Sequence, residues 1–371
     1  MKLSTYTSVA QRAGALEKEC GVSLTHVQAA AVDDDTAVHC ENRIGAITIP
    51  LGVAGPLHIM GDYAKGTYFV PLATTEGALV ASVSRGMKVM QKGVVSTVTK
   101  EGTTRGPVFK VNSIRTGQMV EKWVWDHVGE LATEAEKTSH HIKLMDIHIK
   151  RVATYLFLRL SFDTDQAMGM NMATIATQRI AEYITRKTKC ALVSVAGNFD
   201  VDKKPAWLNA IQGRGYAVHA ETILSQKEVE SIFKVSPKAI YQVWKAKCMI
   251  GSALAGSIGF NAHHANIVAA FFAATGQDLA HVVDGSIGMT IVDITDDGSL
   301  YGSVMLPDLM IGTVGGVTTL KTQSEARSLL KTHSPYVLAE VLGGAVLAGE
   351  LSLLASLAEG SLAKAHTQLG R

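Results

Sequence analysis

RVATYLFLRLSF, residues 151–162, alternates apolar and polar side chains and sets Val152, Leu156, Leu158, Leu160 and Phe162 on one face of a strand. The reading extends outward from it. GPVFKVNSI (106–114) predicts a strand, QMVEKWVWDHVGELATEAEK (118–137) a helix and HHIKLMDIHI (140–149) a second strand. After residue 162, IATQRIAEYITRKTK (175–189) reads as a helix and CALVSVA (190–196) as a strand. The order β-α-β-β-α-β is that of the split βαβ, or ferredoxin-like, unit. At about 90 residues it is large enough to form a domain of its own.

The flanking sequence has a different texture. IPLGVAGPL, GSALAGSIGFNAHHANIVAAFFAATGQD and GTVGGVTTL are rich in glycine and small residues, which let helix and strand backbones approach closely. Ser225 and Glu228 make a capping-box pattern, Pro237 suits the first turn of a helix, and MTIVDIT with LYGSVML flank DDGS as a hairpin. The expected fold class is α+β: a large mixed domain built around a central helix, with an inserted ferredoxin-like domain. The expected organisation is an N-terminal helical segment (1–40), a large domain (41–105 and 197–371) and the insert (106–196).

The 371 residues carry a formal net charge of +2 and are 47% hydrophobic. Nothing in that balance points to nucleic acid or an anionic membrane surface. Cys20, Cys40, Cys190 and Cys248 form no C-x-x-C pair, so neither a zinc site nor a disulfide framework is expected. MKLSTYTSVAQRAGALEKE lacks the apolar core of a secretory signal. VLAEVLGGAVLAGELSLLASLAEG is the most apolar stretch, but Glu340, Glu350 and Glu359 interrupt it. It is expected to be a buried or amphipathic helix, with no segment spanning a membrane and the protein cytoplasmic.

Familiar signatures are absent: there is no P-loop, no H-E-x-x-H, and GRGYAV (213–218) lacks the third glycine of a Rossmann fingerprint. Four places set ionisable groups in small-residue surroundings: Glu76 in ATTEGA, Lys203 with Lys204 in DVDKKPAW, Asp278 in ATGQDLAH and His366 in LAKAHTQ. Each has a bland reading alone, as a helix start, a solvated turn, a cap and an incidental histidine. No metal site is expected, because the adjacent His263 and His264 would point in different directions on a helix.

Together these stretches resemble the 3-hydroxy-3-methylglutaryl-coenzyme A (HMG-CoA) reductase family, in its soluble catalytic portion. The resemblance rests on ENRIGAITIPLGVAGPL, PLATTEGALVAS, TRGPV, AMGMNM, GNFDVDKKPAWLNAIQGRG, GSALAGSIGFNAHHANIVAA, GQD, GTVGGVTTL and AGELSLLASLAEGSLAKAH, in the family's order from Glu41 to His366. AMGMNM and LAKAH look more like the class shared by eukaryotes and archaea, so the chain reads as class I-like.

The resemblance implies reduction of the thioester of (S)-HMG-CoA to mevalonate and free coenzyme A with two hydrides from NADPH, NADH being the alternative. It implies that Lys203 stabilises the oxyanion, Glu76 donates a proton, Asp278 tunes both, and His366 protonates the departing thiolate. For Glu76 to be protonated, its apolar run should keep it dry and raise its pKa. Ser84, Arg85, Arg105, Asn198, Asp202, Lys204, Lys247, His263 and Asn266 match substrate or coenzyme A positions. Ser139, His140, Gln166, Met168, Gly169, Met170 and Asn171 match cofactor positions. ENRIG matches a segment that meets a neighbouring subunit, implying a homodimer or higher oligomer with its site at the interface.

The chain departs from the family pattern at four places. Gln166 stands where Asp is usual, Ala196 where Ser is common and Val282 where Asn is frequent, and Ser139-His140-His141 occupies the segment expected to read a 2′-phosphate. A related acyl-coenzyme A reductase with a shifted substrate or product is therefore the alternative reading. A non-catalytic relative is a weaker one, since all four catalytic positions are filled.

Overall fold

In the computed structural model, which describes residues 3–29 and 40–360, Leu156, Leu158, Leu160 and Phe162 are all buried, as their alternation requires. Val152 departs from the pattern and is exposed. It ends a separate strand: Val152 pairs with Tyr155 across a two-residue turn in which Ala153 takes a positive φ of 51°. Ala-Thr carries none of the Asn-Gly chemistry that marks such a hairpin, so the sequence reads as one strand where there are two.

The described residues hold ten strands: β1 (Leu51–Gly61), β2 (Lys65–Ala73), β3 (Val94–Arg105), β4 (Val108–Lys110), β5 (Lys143–Val152), β6 (Tyr155–Asp163), β7 (Ala191–Ser194), β8 (Arg214–Leu224), β9 (Met289–Ile294) and β10 (Leu300–Leu309). β4 to β7 lie in the order β7-β4-β6-β5, every neighbour antiparallel. This is the strand order of the split βαβ unit. Helices Ile114–Asp126, Val128–Glu136 and Met170–Thr188 accompany it. The expected helix over 118–137 is thus two, divided at His127. Phe109, Leu131, Ile142, Leu156, Leu160 and Ile180 belong to a hydrophobic core confined to this unit.

β3 joins the two parts of the sheet. Its first half, Val95–Lys100, pairs with β8, and its last residues, Thr103–Arg105, pair with β6. β8 continues through β10 to β9. The β9–β10 hairpin, the Ser225–Glu228 capping box and Pro237 at a helix start all appear as expected.

The larger core surrounds the helix Pro335–Glu359. It is apolar on all sides, and its closest neighbour is the helix Leu79–Val89. A Cβ on Gly86 would lie 1.9 Å from the Ala348 carbonyl oxygen, so only glycine permits this approach. By length and composition the helix could cross a membrane, contrary to the expectation that no segment approaches that limit, but most of it is buried in the core. Its two interior carboxylates have definite partners. Glu340 accepts N–H bonds from Asp62, Tyr63 and Ala64 at the β1–β2 turn, and Glu350 accepts them from Ala262 and His263 at the start of helix His264–Thr275. A buried carboxylate that collects backbone donors replaces the hydration it has lost.

Candidate active site

The loop 198–206 leaves β7 and delivers Asp202, Lys203 and Lys204 to the junction between the insert and the large sheet. Asn198, Val201 and Lys203 all have positive φ, at 63°, 50° and 55°. For a β-branched residue such as Val201 that conformation is strained, and strain of this kind gathers at functional sites. The loop is held from below. Asn209 donates to the Val201 carbonyl, and the Lys203 N–H donates to Asp284 Oδ2 at 3.2 Å.

Lys203 Nζ lies 2.8 Å from Asp278 Oδ2, both side chains partly exposed. Asp278 begins a 3₁₀ turn, its Oδ1 accepting the Ala280 N–H at 3.0 Å. Burial alone would raise its pKa. The hydrogen bonds from Lys203 and Ala280, with the charges of His281 and Lys203, outweigh that and hold it below the usual carboxylate range. Gln277 fixes the turn from the other side, exchanging two hydrogen bonds with Gly312.

Beneath this pair lies a buried ionic layer. Arg214, fully buried on β8, bonds Asp202 Oδ1 at 2.8 Å and Asp284 Oδ2 at 2.9 Å. His281 Nδ1 stands 3.1 Å from Asp284 Oδ2. Arg105 reaches both Asp200 and Asp202 at 3.4 Å. Asp202 is held low because Arg214, His281 and Arg105 overcome its burial, whereas burial pushes Asp308 well above the usual range. Asp202, His281 and Asp284 bring ligand atoms within 4.8 Å of one another, but the Arg214 guanidinium already supplies their cation.

The cofactor-matching residues lie beside this layer. Gly169, with φ 86°, precedes helix Met170–Thr188, and a Cβ there would strike the Thr164 side chain at 2.3 Å. The Gln166 carbonyl accepts the Thr313 N–H, Thr103 Oγ1 donates to the Met168 carbonyl, and Met170 Sδ touches Arg214. The first turn of that 19-residue helix carries no acidic residue. A tight glycine turn opening a long helix is a natural anion cradle. Ser139 is partly buried and His140 exposed, while it is His141 that pairs with Asp165, at 3.0 Å.

Other expected residues fall elsewhere. Glu76 is exposed in the turn ahead of helix Leu79–Val89, its N–H donating to Thr74 Oγ1. The dry pocket expected around it does not exist within one chain, because the apolar residues that follow it turn toward the central helix instead. Among the described residues it makes no hydrogen bond or ion pair with Lys203 or Asp278. Arg85 bonds Ser352 and Ser356 and stands over the Phe233 ring, so its guanidinium anchors a helix as well as edging a cavity. That cavity, about 790 Å³, is lined by Ser84, Arg85, Lys88, His58 and Lys234 among others. His263 lies near Glu350, Asn266 is partly buried on the same helix, and Asn198, Lys204 and Lys247 are exposed. Lys247 belongs to a π-helical stretch, Lys245–Gly251. His366 lies outside the described residues.

Sequence reasoning missed Arg214, His281 and Asp284. A signal was available: Asp278, His281 and Asp284 recur every third residue, which places them on one face of helical turns.

The whole pattern has a known counterpart. Residues 8–371 match the family described as hydroxymethylglutaryl-coenzyme A reductase. The chain belongs to the hydroxymethylglutaryl-coenzyme A reductase family. It is 47% identical over 364 residues to the 3-hydroxy-3-methylglutaryl-coenzyme A reductase of Methanothermobacter thermautotrophicus, covering 96% of this chain and 91% of that protein. It is 41% identical to the reductase of Blattella germanica over 90% of this chain and 40% of that protein. Among solved structures it is similar to the class II 3-hydroxy-3-methylglutaryl-CoA reductase of Streptococcus pneumoniae bound to NADPH. The TM-score is 0.71 at 16% identity, covering 96% and 98% of the two chains. That likeness extends to the fold, which is the reductase fold.

Proposed function

We propose that this reductase converts (S)-HMG-CoA to mevalonate and coenzyme A with two hydrides from NADPH, NADH being the alternative donor. The observation that carries the reading is the Lys203–Asp278 pair, set on a strained loop beside the Met168–Asn171 turn. A nicotinamide dinucleotide held at that turn supplies the hydrides when bound. Met168, Gly169, Met170 and Asn171 would hold its phosphates at the helix N-terminus, with Ser139, His140 and Gln166 at the rim.

Lys203 places a cation where negative charge grows on the thioester oxygen, and again on the aldehyde oxygen. Asp278 keeps the ammonium oriented. Glu76 is the proton donor to the alkoxide and His366 the acid for the thiolate. Arg105, Asn198, Asp202 and Lys204 hold the acyl portion. The cavity edged by Ser84 and Arg85 takes coenzyme A, whose phosphates suit Lys88 and Lys234; Lys247, His263 and Asn266 complete that side.

The site is completed by a second copy, which brings Glu76 to Lys203 and encloses it. Supporting this, Ile47, Ile49, Leu51 and Val53 alternate as exposed apolar residues just after ENRIG, an unpartnered stripe that a subunit would cover. The reading also places the chain in the class shared by archaea and eukaryotes. Its identity of 47% to an archaeal reductase and 41% to an insect one supports this.

The test is cofactor oxidation with HMG-CoA, counted against thiol released. Two cofactor molecules per thiol is the expected result. One per thiol would mean release of an aldehyde and would favour a related acyl-coenzyme A reductase.

A further inference from the structure

Gln277 stands one residue before Asp278 and is almost wholly buried. A buried amide is costly unless both its ends find partners, and here both do. Its Oε1 accepts the Gly312 N–H at 2.9 Å, and its Nε2 donates to the Gly312 carbonyl at 3.1 Å. Nε2 also lies 3.3 Å from the carbonyl and from Oγ1 of Thr275, so its second hydrogen stays with the end of helix His264–Thr275. The Gln277 N–H closes that helix on the Phe272 carbonyl at 3.0 Å. Two backbone carbonyls beside Nε2 and one N–H beside Oε1 fix which way the amide faces. Gln277 therefore meets both backbone groups of Gly312 as a neighbouring strand would.

Gly312 carries the cofactor-matching turn on its other side. A Cβ built on it would lie 2.4 Å from the Met168 nitrogen and 2.9 Å from the Ala167 carbonyl carbon. Ala167 and Val314 form a parallel bridge, and the Thr313 N–H donates to the Gln166 carbonyl at 2.9 Å. Gly312 and Thr313 are buried, layered between Gln277 and the backbone of 166–168. From Gln277 the chain passes directly to Asp278. There Oδ1 accepts the Ala280 N–H at 3.0 Å, the carbonyl accepts the His281 N–H at 3.0 Å, and Oδ2 meets Lys203 Nζ at 2.8 Å. Arg214 already joins Met170 to the lysine's loop. Gln277 makes a separate connection, from residues 166–168 through Gly312 to the lysine's carboxylate.

We propose that Gln277 is a positioning residue: its amide clamps Gly312 and so holds the cofactor turn and Asp278 in one register. The consequence for turnover rests on the reductase reading; the clamp itself does not. A fixed separation matters there because a misplacement of about 1 Å can cost about 10²-fold in rate.

The test is amide hydrogen exchange of the ligand-free full chain, wild type and Gln277→Met, which keeps the side chain's length and loses its amide. In the wild type the Gly312, Thr313 and Ala280 amides should open as one unit, with protection equal within about tenfold. In Gln277→Met all three should exchange about tenfold faster. Amides of the central helix Pro335–Glu359 should keep their rates, which a general loss of stability would not allow. In turnover, kcat should fall about 10–100-fold and the KM for NADPH should rise. The KM for HMG-CoA should change little, because the cavity edged by Ser84 and Arg85 is built on other elements. Ala280 exchange unmoved by the substitution, or a kcat within about twofold of normal, would overturn the proposal. If Gln277→Met does not fold, the wild-type pattern decides: protection differing by more than about tenfold among the three amides rules the clamp out. A wild type unable to reduce HMG-CoA would sink the functional reading and leave the exchange result to judge the clamp.

Discussion

Arg214 Nη1 lies 2.9 Å from Asp284 Oδ2, and both side chains are wholly buried. The same guanidinium bonds Asp202, next to Lys203, and touches Met170, at the start of the insert's last helix. One buried cation therefore ties together the strained loop, the helical turn Val282–Gly285 that follows Asp278, and the glycine turn of Met168–Asn171.

Arg214→Met should destabilise the fold by about 3–5 kcal/mol, because it leaves Asp284 buried without its partner. Denaturant unfolding measures this. A loss under about 1 kcal/mol, the scale of an exposed ion pair, would mean that the layer is solvated and its order is not needed.

Acid should unfold the protein through the same cluster. Asp202 and Asp278 both have carboxyls held below their ordinary value in the fold. Their stabilisation is complete above the ordinary Asp pKa of about 3.9 and is lost as pH falls through the lower folded values. Stability should therefore drop steeply below about pH 4, and Asp278→Asn should make that drop shallower while lowering stability at neutral pH. An identical acid limb in the variant would detach Asp278 from it.

Much of this was legible in the sequence, and the failures have physical causes. The ferredoxin-like insert could be read because Leu156, Leu158, Leu160 and Phe162 recur at every second position of β6 and are all buried. The β5–β6 hairpin could not, because Ala153 adopts a left-handed conformation without a residue type that announces it. The dry pocket expected around Glu76 is not formed within one chain because apolar neighbours do not say which way they face: Leu79 and Val83 turn into the core while Glu76 is exposed in the single chain. Arg214 was missed because a buried ion pair between distant segments leaves no local pattern around a strand residue, unlike Lys203 and Asp278, whose surrounding motifs stand out.

Cofactor choice should depend on His140. It is exposed next to His141, which pairs with Asp165 shortly before the Met168–Asn171 turn. Competing initial-rate measurements with NADPH and NADH give the preference, which should shift toward NADH in His140→Ala. A ratio unchanged in His140→Ala would remove His140 as the reader of the 2′-phosphate.

Lys203 is the residue on which the proposed chemistry depends. Both hydride transfers build negative charge on the same oxygen, so a single cation should serve both. The direct measurement is the turnover of folded Lys203→Ala enzyme on HMG-CoA and, separately, on free mevaldehyde. Loss of one preorganised electrostatic donor predicts a fall of about 10²–10³ in both rates, with the KM for NADPH little changed. A folded variant that keeps near-normal turnover on either substrate would contradict the assignment of Lys203 as the oxyanion cation.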